Sequence, residues 1–140
     1  ADRLMSYIWP DQGYRVTRTD AALKHAASLG RRPDRLDAAA WIEREFAKPE
    51  EPGTCRVLLH TIVWQYIPAQ RQQRIEAALA RITGAATADA PVARFSMEPD
   101  TQSPNAAKGA AMVLTIWPDG EPIPVGRVDF HGRWAEWAAI

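Results

Sequence analysis

The order of apolar and polar positions divides the chain into a helical first third and a strand-bearing remainder. Leu4 and Ile8 stand four residues apart, as on one helical face, so the helical pattern covers residues 2–8. Pro10 interrupts it, and Asp11 is placed to cap a new start. Val16, Ala22, Leu23 and Ala26 then predict a second stretch to Leu29, ended by Gly30, so the coarse reading is a helical hairpin or a kinked pair. After a polar connector over 31–35, Asp37 is a natural N-cap for a helix over 38–48, with Trp41, Ile42 and Phe46 on its inner face. Pro49, Pro52 and Gly53 break the chain.

Residues 55–64 change character. Val57, Leu58, Leu59, Ile62 and Val63 form a nearly unbroken apolar run, the pattern of a central strand covered by helices on both faces. Pro68 suits the first position of the next helix, where Ile75, Leu79 and Ile82 make one apolar stripe before Gly84. A second strand over 92–97 completes a strand–helix–strand unit, whose strands should lie parallel. Apolar runs over 111–117 and 123–130 flank Asp119-Gly120, a hairpin signal that adds an antiparallel edge and makes the sheet mixed. The polar stretch 100–109 is expected to be an exposed, mobile loop. The expected fold is a single α/β domain over 1–140, with a helical segment over 1–48 and a sheet portion over 49–140.

Composition narrows the function classes. The chain's 140 residues, 46% hydrophobic and 24% charged, are enough for one globular core. Seventeen Lys and Arg balance 17 Asp and Glu, and the basic residues form no aromatic-interleaved stripe, so neither nucleic acid nor an acidic membrane is an expected partner. One cysteine, Cys55, excludes an internal disulfide and suits a reducing, cytoplasmic setting. No apolar run approaches the roughly 18 residues of a membrane span. The helical pattern begins at once after Ala1, which gives the expectation of a fragment of a longer protein.

Motif chemistry is mostly negative. The eight glycines form neither a dinucleotide fingerprint nor a phosphate loop, and three separated histidines with one cysteine offer no zinc spacing, so no metal is expected. No serine sits in a nucleophile elbow. What remains is positional: in open α/β sheets ligands bind beyond the carboxyl ends of the parallel strands. His60 and Glu98, near the ends of the two strands, are the candidate acid–base pair; His60 also reads as a hydrogen-bonded core histidine, and Glu98 as a salt-bridge or capping residue. Gln65 and Tyr66, leaving the first strand, could hold a ligand, or Tyr66 could anchor a structural corner. His131 is expected on the opposite rim. Trp134 and Trp137 either pack on the sheet or face a partner, and packing is the expectation.

The strings Tyr7-Ile8-Trp9-Pro10-Asp11-Gln12, Leu59-His60-Thr61-Ile62-Val63-Trp64-Gln65-Tyr66-Ile67-Pro68, Phe95-Ser96-Met97-Glu98-Pro99, Ile116-Trp117-Pro118 and Asp129-Phe130-His131-Gly132 resemble an uncharacterised bacterial family, domain-of-unknown-function family twenty-three thirty-two. The resemblance spans essentially the whole chain and is to the C-terminal part of the family's usually longer members, which implies that an N-terminal part with the first strands of the sheet precedes it. That family's pattern is in turn similar to class I S-adenosylmethionine-dependent methyltransferases. This implies a partial, three-layer Rossmann-like fold, with Asp37 near the adenine and His60, Thr61, Gln65 and Tyr66 facing the crevice. S-adenosylmethionine would then be the cofactor in a longer chain, and a small molecule the substrate. The alternative is a non-catalytic binding or assembly module, a homo-oligomer included. The glycine-rich segment that meets the cofactor in those enzymes is absent here.

Overall fold

A computed structural model describes residues 2–30, 32–48, 51–101, 103 and 108–138. Residues 102 and 104–107 of the expected mobile loop lie outside the described residues. Contacts divide the chain into two units, Ala1–Arg35 and Leu36–Ile140.

The first unit holds α1 (Asp2–Met5) and α2 (Gly13–Ser28). The first helical stretch is shorter than expected, because Tyr7 and Ile8 hydrogen-bond back to Leu4 and Met5 as turns. Asp11 does not cap α2. Gln12 precedes the helix without a side-chain cap, and its carbonyl receives the amides of Arg15 and Val16. Neither helix has a buried residue.

The second unit is mixed α/β. It runs α3 (Ala38–Glu45), β1 (Arg56–Thr61), a 3-10 turn (Trp64–Tyr66), α4 (Ala69–Thr83), β2 (Val92–Glu98), β3 (Ala110–Trp117), β4 (Pro122–Val128) and β5 (Ala135–Trp137). One five-stranded sheet takes the order β1-β2-β3-β4-β5. β1 and β2 are parallel, with Arg56 opposite Val92 and Thr61 opposite Met97, and every later neighbour is antiparallel. Gly120, at φ 77°, supplies the left-handed residue of the β3–β4 connection, and its amide returns 2.7 Å to the Ile116 carbonyl.

Asp37 caps α3 as expected: its carboxylate accepts from the amides of Ala39 at 3.1 Å and Ala40 at 3.4 Å. Its second oxygen meets Arg71, in the first turn of α4, at 3.1 Å. Asp37→Ala should therefore lower the unfolding free energy by about 1 kcal/mol, read from urea midpoints at an unchanged slope. A loss below about 0.3 kcal/mol would show that water replaces the cap.

Two apolar clusters use opposite faces of the sheet, as strand alternation requires. On one face Ala39, Ile42 and Phe46 of α3 and Ile75, Ala78 and Leu79 of α4 close over Leu58 and Val92. On the other, Ala110, Met112, Val125 and Val128 gather with Phe95, Met97 and Leu114. The predicted α4 stripe is thus the face that covers the sheet.

Two expectations are corrected. β1 is an edge strand and not a central one, because among the described residues the strand order places no strand on its far side. Its helix-facing residues Arg56, Leu58 and His60 are buried or half-buried, while Val57 and Leu59 are 55% and 62% exposed. A continuous apolar run had suggested cover on both faces, but α3 and α4 both lie on one. Trp137, expected to pack, sits on the unpredicted β5 and is 68% exposed. β5 can approach β4 because Gly126, at φ 147°, has no side chain where the Glu136 carbonyl lies.

Candidate functional site

The carboxyl ends of the parallel pair carry a connected polar row. Strand alternation puts His60 on the helix-covered face of β1, and Arg94, Ser96 and Glu98 on the same face of β2. The parallel register sets His60 opposite Ser96, so Arg94 and Glu98 flank the imidazole from either side along the strand. His60 Nδ1 lies 2.8 Å from Glu98 Oε1, and Arg94 Nε donates to His60 Nε2 at 3.0 Å. The guanidinium can only donate, so Nε2 carries the lone pair and the ring hydrogen sits on Nδ1, directed at the carboxylate. Two flanking groups thus select one tautomer.

Glu98 also shapes the chain that leaves β1. Its carboxylate accepts from the amides of Val63 at 3.1 Å and Trp64 at 3.3 Å, at the start of the 3-10 turn. Between His60 and that turn stands Ile62 at φ 47°, a left-handed conformation that a β-branched residue rarely adopts. The Ile62 amide meets the Met97 carbonyl at 2.8 Å, prolonging the parallel ladder by one bond. From the helix side, Gln72 of α4 donates to the Trp64 and Ile67 carbonyls. The strained residue is held between these attachments.

Trp64 roofs the row. Its ring lies 5.5 Å from the imidazole, centroid to centroid, and 4.7 Å from the Arg94 guanidinium carbon. Arg94 Nη1 reaches Glu76 of α4 at 2.9 Å. The His60 and Glu98 side chains are 12% and 15% exposed, so the row is sheltered yet open at the half-exposed Glu76.

Of the sequence candidates, His60 and Glu98 come together. Thr61 follows on the outer face of β1, with Val57 and Leu59. Gln65 and Tyr66 are on the 3-10 turn with exposed side chains, and Tyr66, at 74%, is no buried anchor. Asp37 is engaged by α3 and Arg71. Sequence reasoning missed Arg94, Trp64 and Glu76. The visible signal was two charges four apart, Arg94 and Glu98, in an otherwise largely apolar strand; period two puts them on one face.

His131 also needs correction. β4 reverses the reversal made by β3, so it runs in the direction of β2 and ends on the same rim as Glu98. β3 intervenes, which sets β4 about 10 Å from β2. There Asp129 accepts from the His131 and Arg133 amides and grips the Arg133 guanidinium at 3.1 and 2.8 Å. Arg133, helped by those amides, holds the Asp129 carboxyl well below the usual carboxylate range. Because the folded state then binds this proton less readily than the unfolded chain, the stabilisation is complete above the ordinary value near 3.9 and declines as pH falls below it. The stability gap between wild type and Asp129→Asn should therefore narrow on acidification from about pH 6 to about pH 3. A gap that stays constant in urea titrations would contradict it. Nearby, Arg127 forks onto Asp100 at 2.8 and 2.9 Å and likewise lowers that carboxyl.

Among the described residues, no three His, Cys, Asp or Glu side chains gather as a metal site, and no helix is long and apolar enough to cross a membrane. Fold and site together define a mixed α/β protein with a glutamate-oriented histidine at the carboxyl end of the parallel pair β1 and β2. The chain belongs to the family described as an uncharacterised protein conserved in bacteria, DUF2332, whose pattern it matches over residues 1–137. No curated protein and no solved structure matches it.

Proposed function

We propose that the row between β1 and β2 is a small-molecule site in which His60 Nε2 accepts a hydrogen bond or a proton from the bound molecule. The single observation that carries this is the 2.8 Å contact between His60 Nδ1 and Glu98. It is the arrangement by which a carboxylate orients an imidazole and makes the far nitrogen the acceptor, here met by Arg94 Nε, which a bound molecule would have to displace. Glu98 is a positioning residue, and Trp64 supplies an apolar wall.

The methyltransferase reading asks more than these residues offer. No glycine stands in 54–83 or 85–108, so the backbone at the carboxyl ends of β1 and β2 has no glycine cradle. Both carboxylate oxygens of Asp37 are engaged within the chain. The residues do not fit S-adenosylmethionine. Calorimetric titration of S-adenosylmethionine into the chain should give no binding heat; saturable heat would restore the methyltransferase reading.

The site itself is tested by proton-detected imidazole NMR against a set of small alcohols, amines and acids. Binders should shift the His60 ring resonances and leave those of His25 and His131 in place, and their affinity, read from backbone amide shifts, should fall in His60→Gln. Hits that persist in His60→Gln, or a set that never moves His60, would overturn the proposal.

A second reading, an assembly module, is favoured by one observation: β1 is an edge strand with no strand on its outer side among the described residues, and apolar Val57 and Leu59 are exposed on it. On this reading wild type self-associates in sedimentation velocity with rising concentration, and Leu59→Lys stays monomeric. Equal monomeric behaviour of both would remove it.

A further inference from the structure

We infer that the molecule recognised at this row carries a carboxylate or phosphate, which Arg94 grips through its Nε–Nη2 edge. This inference rests on the small-molecule site proposed above and names its ligand class.

Arg94 is committed on two of its three nitrogens. Nε donates to His60 and Nη1 to Glu76, while Nη2 has no hydrogen-bond partner among the described residues. Two other arginines of this chain grip a carboxylate by the Nε–Nη2 edge, Arg133 on Asp129 and Arg74 on Glu43, whereas Arg127 meets Asp100 end-on through Nη1 and Nη2. At Arg94 the Nε–Nη2 edge meets a single lone pair of an uncharged acceptor, the weaker of the two kinds of partner available to a guanidinium. A planar two-oxygen anion would use both donors at once. The guanidinium is already set for it, stacked at 4.7 Å over Trp64 and steadied from behind by Glu76.

Binding an anion there exchanges one hydrogen bond for two charge-assisted ones and has a second effect. Arg94 Nε leaves His60 Nε2, whose lone pair then faces the bound molecule beside its anionic group. Glu98 keeps the ring hydrogen on Nδ1 throughout, so the tautomer does not change. Arg94 therefore covers the acceptor nitrogen in the ligand-free protein, and the ligand uncovers it. No covalent step is required.

The test uses acetate and inorganic phosphate as probes on the full chain, with sodium chloride at matched ionic strength as the control. The His60 Nε2 nitrogen resonance should move saturably toward the value of an unbonded acceptor nitrogen with either probe and stay still with chloride. Arg94→Lys keeps the charge but lacks the fork, and should weaken the response about tenfold. Its amide spectrum shows whether the fold is kept; if it is not, Glu76→Gln, which leaves the fork in place, must still show the saturable shift. Shifts of equal size with chloride, or an undiminished response in a folded Arg94→Lys, would overturn the anion class. Neutral compounds that move His60 while acetate and phosphate do not would overturn this inference and leave the small-molecule site standing. The absence of any binder would remove both.

Discussion

Glu98→Ala is expected to lower the unfolding free energy by about 3 kcal/mol, because it strips the acceptor from three donors at once, two of them partly buried. His60 Nδ1 and the amides of Val63 and Trp64 all point at this carboxylate. Each unsatisfied donor costs about 1–3 kcal/mol when water cannot reach it, but the side chain's partial exposure lets water recover part of that. The loss also bears on Ile62, whose left-handed conformation stands between the strand and the turn that Glu98 holds. Glu98→Gln keeps one acceptor oxygen and turns an amide donor toward the others, so its loss should be about half as large. Urea unfolding of both variants, with the slope m as a check on a common unfolded state, measures the order. A Glu98→Ala loss below about 0.5 kcal/mol would mean the three donors find water instead, and the tautomer assigned to His60 would lose its support.

Ile75→Ala is expected to cost about the same or slightly more, near 3–4 kcal/mol, for a different reason. Ile75 is 1% exposed and belongs to the cluster in which α3 and α4 meet Leu58 and Val92. The substitution removes several methyl and methylene groups from a filled space, and a helix packed against a sheet closes only part of the cavity. A domain of this size has roughly 5–15 kcal/mol in all, so one side chain carries a large share. Leu59→Ala is the matched control: the same kind of truncation on the exposed face of β1 should stay within about 0.5 kcal/mol. If the two substitutions gave equal losses, the outer face of β1 would be covered in solution.

The helical and strand elements around this core were largely legible in the sequence, for identifiable reasons. Ile75, Leu79 and Ile82 repeat at helical spacing, and Asp119-Gly120 between two apolar runs specifies a hairpin. The parallel pairing of β1 with β2 follows from the helix between them. The edge position of β1 was not legible, because an apolar run of this length reads the same whether one face or two is covered. β5 was not legible either: three residues are too few for a period, and its one local sign is the side-chain-free Gly126 on its partner. His60 and Glu98 could be placed at neighbouring strand ends from sequence alone. That Arg94 would complete the row depends on register across the parallel pair, which a sequence separated by a helix does not display.

β1 differs from every other strand in how it comes to its partner. β2 to β5 follow one another as antiparallel neighbours, whereas β1 reaches β2 only after the chain has passed through residues 62–91. Closing that longer loop carries a larger entropic penalty, and a strand bonded on one side has less to hold it there. In hydrogen–deuterium exchange the amides of β1 should therefore open before those of β2 and β3, as a separate cooperative unit. When β1 lifts away, His60 parts from Glu98 and Arg94 together. The exchange lifetime of this one strand is thus a direct clock for how much of the time the polar row exists at all.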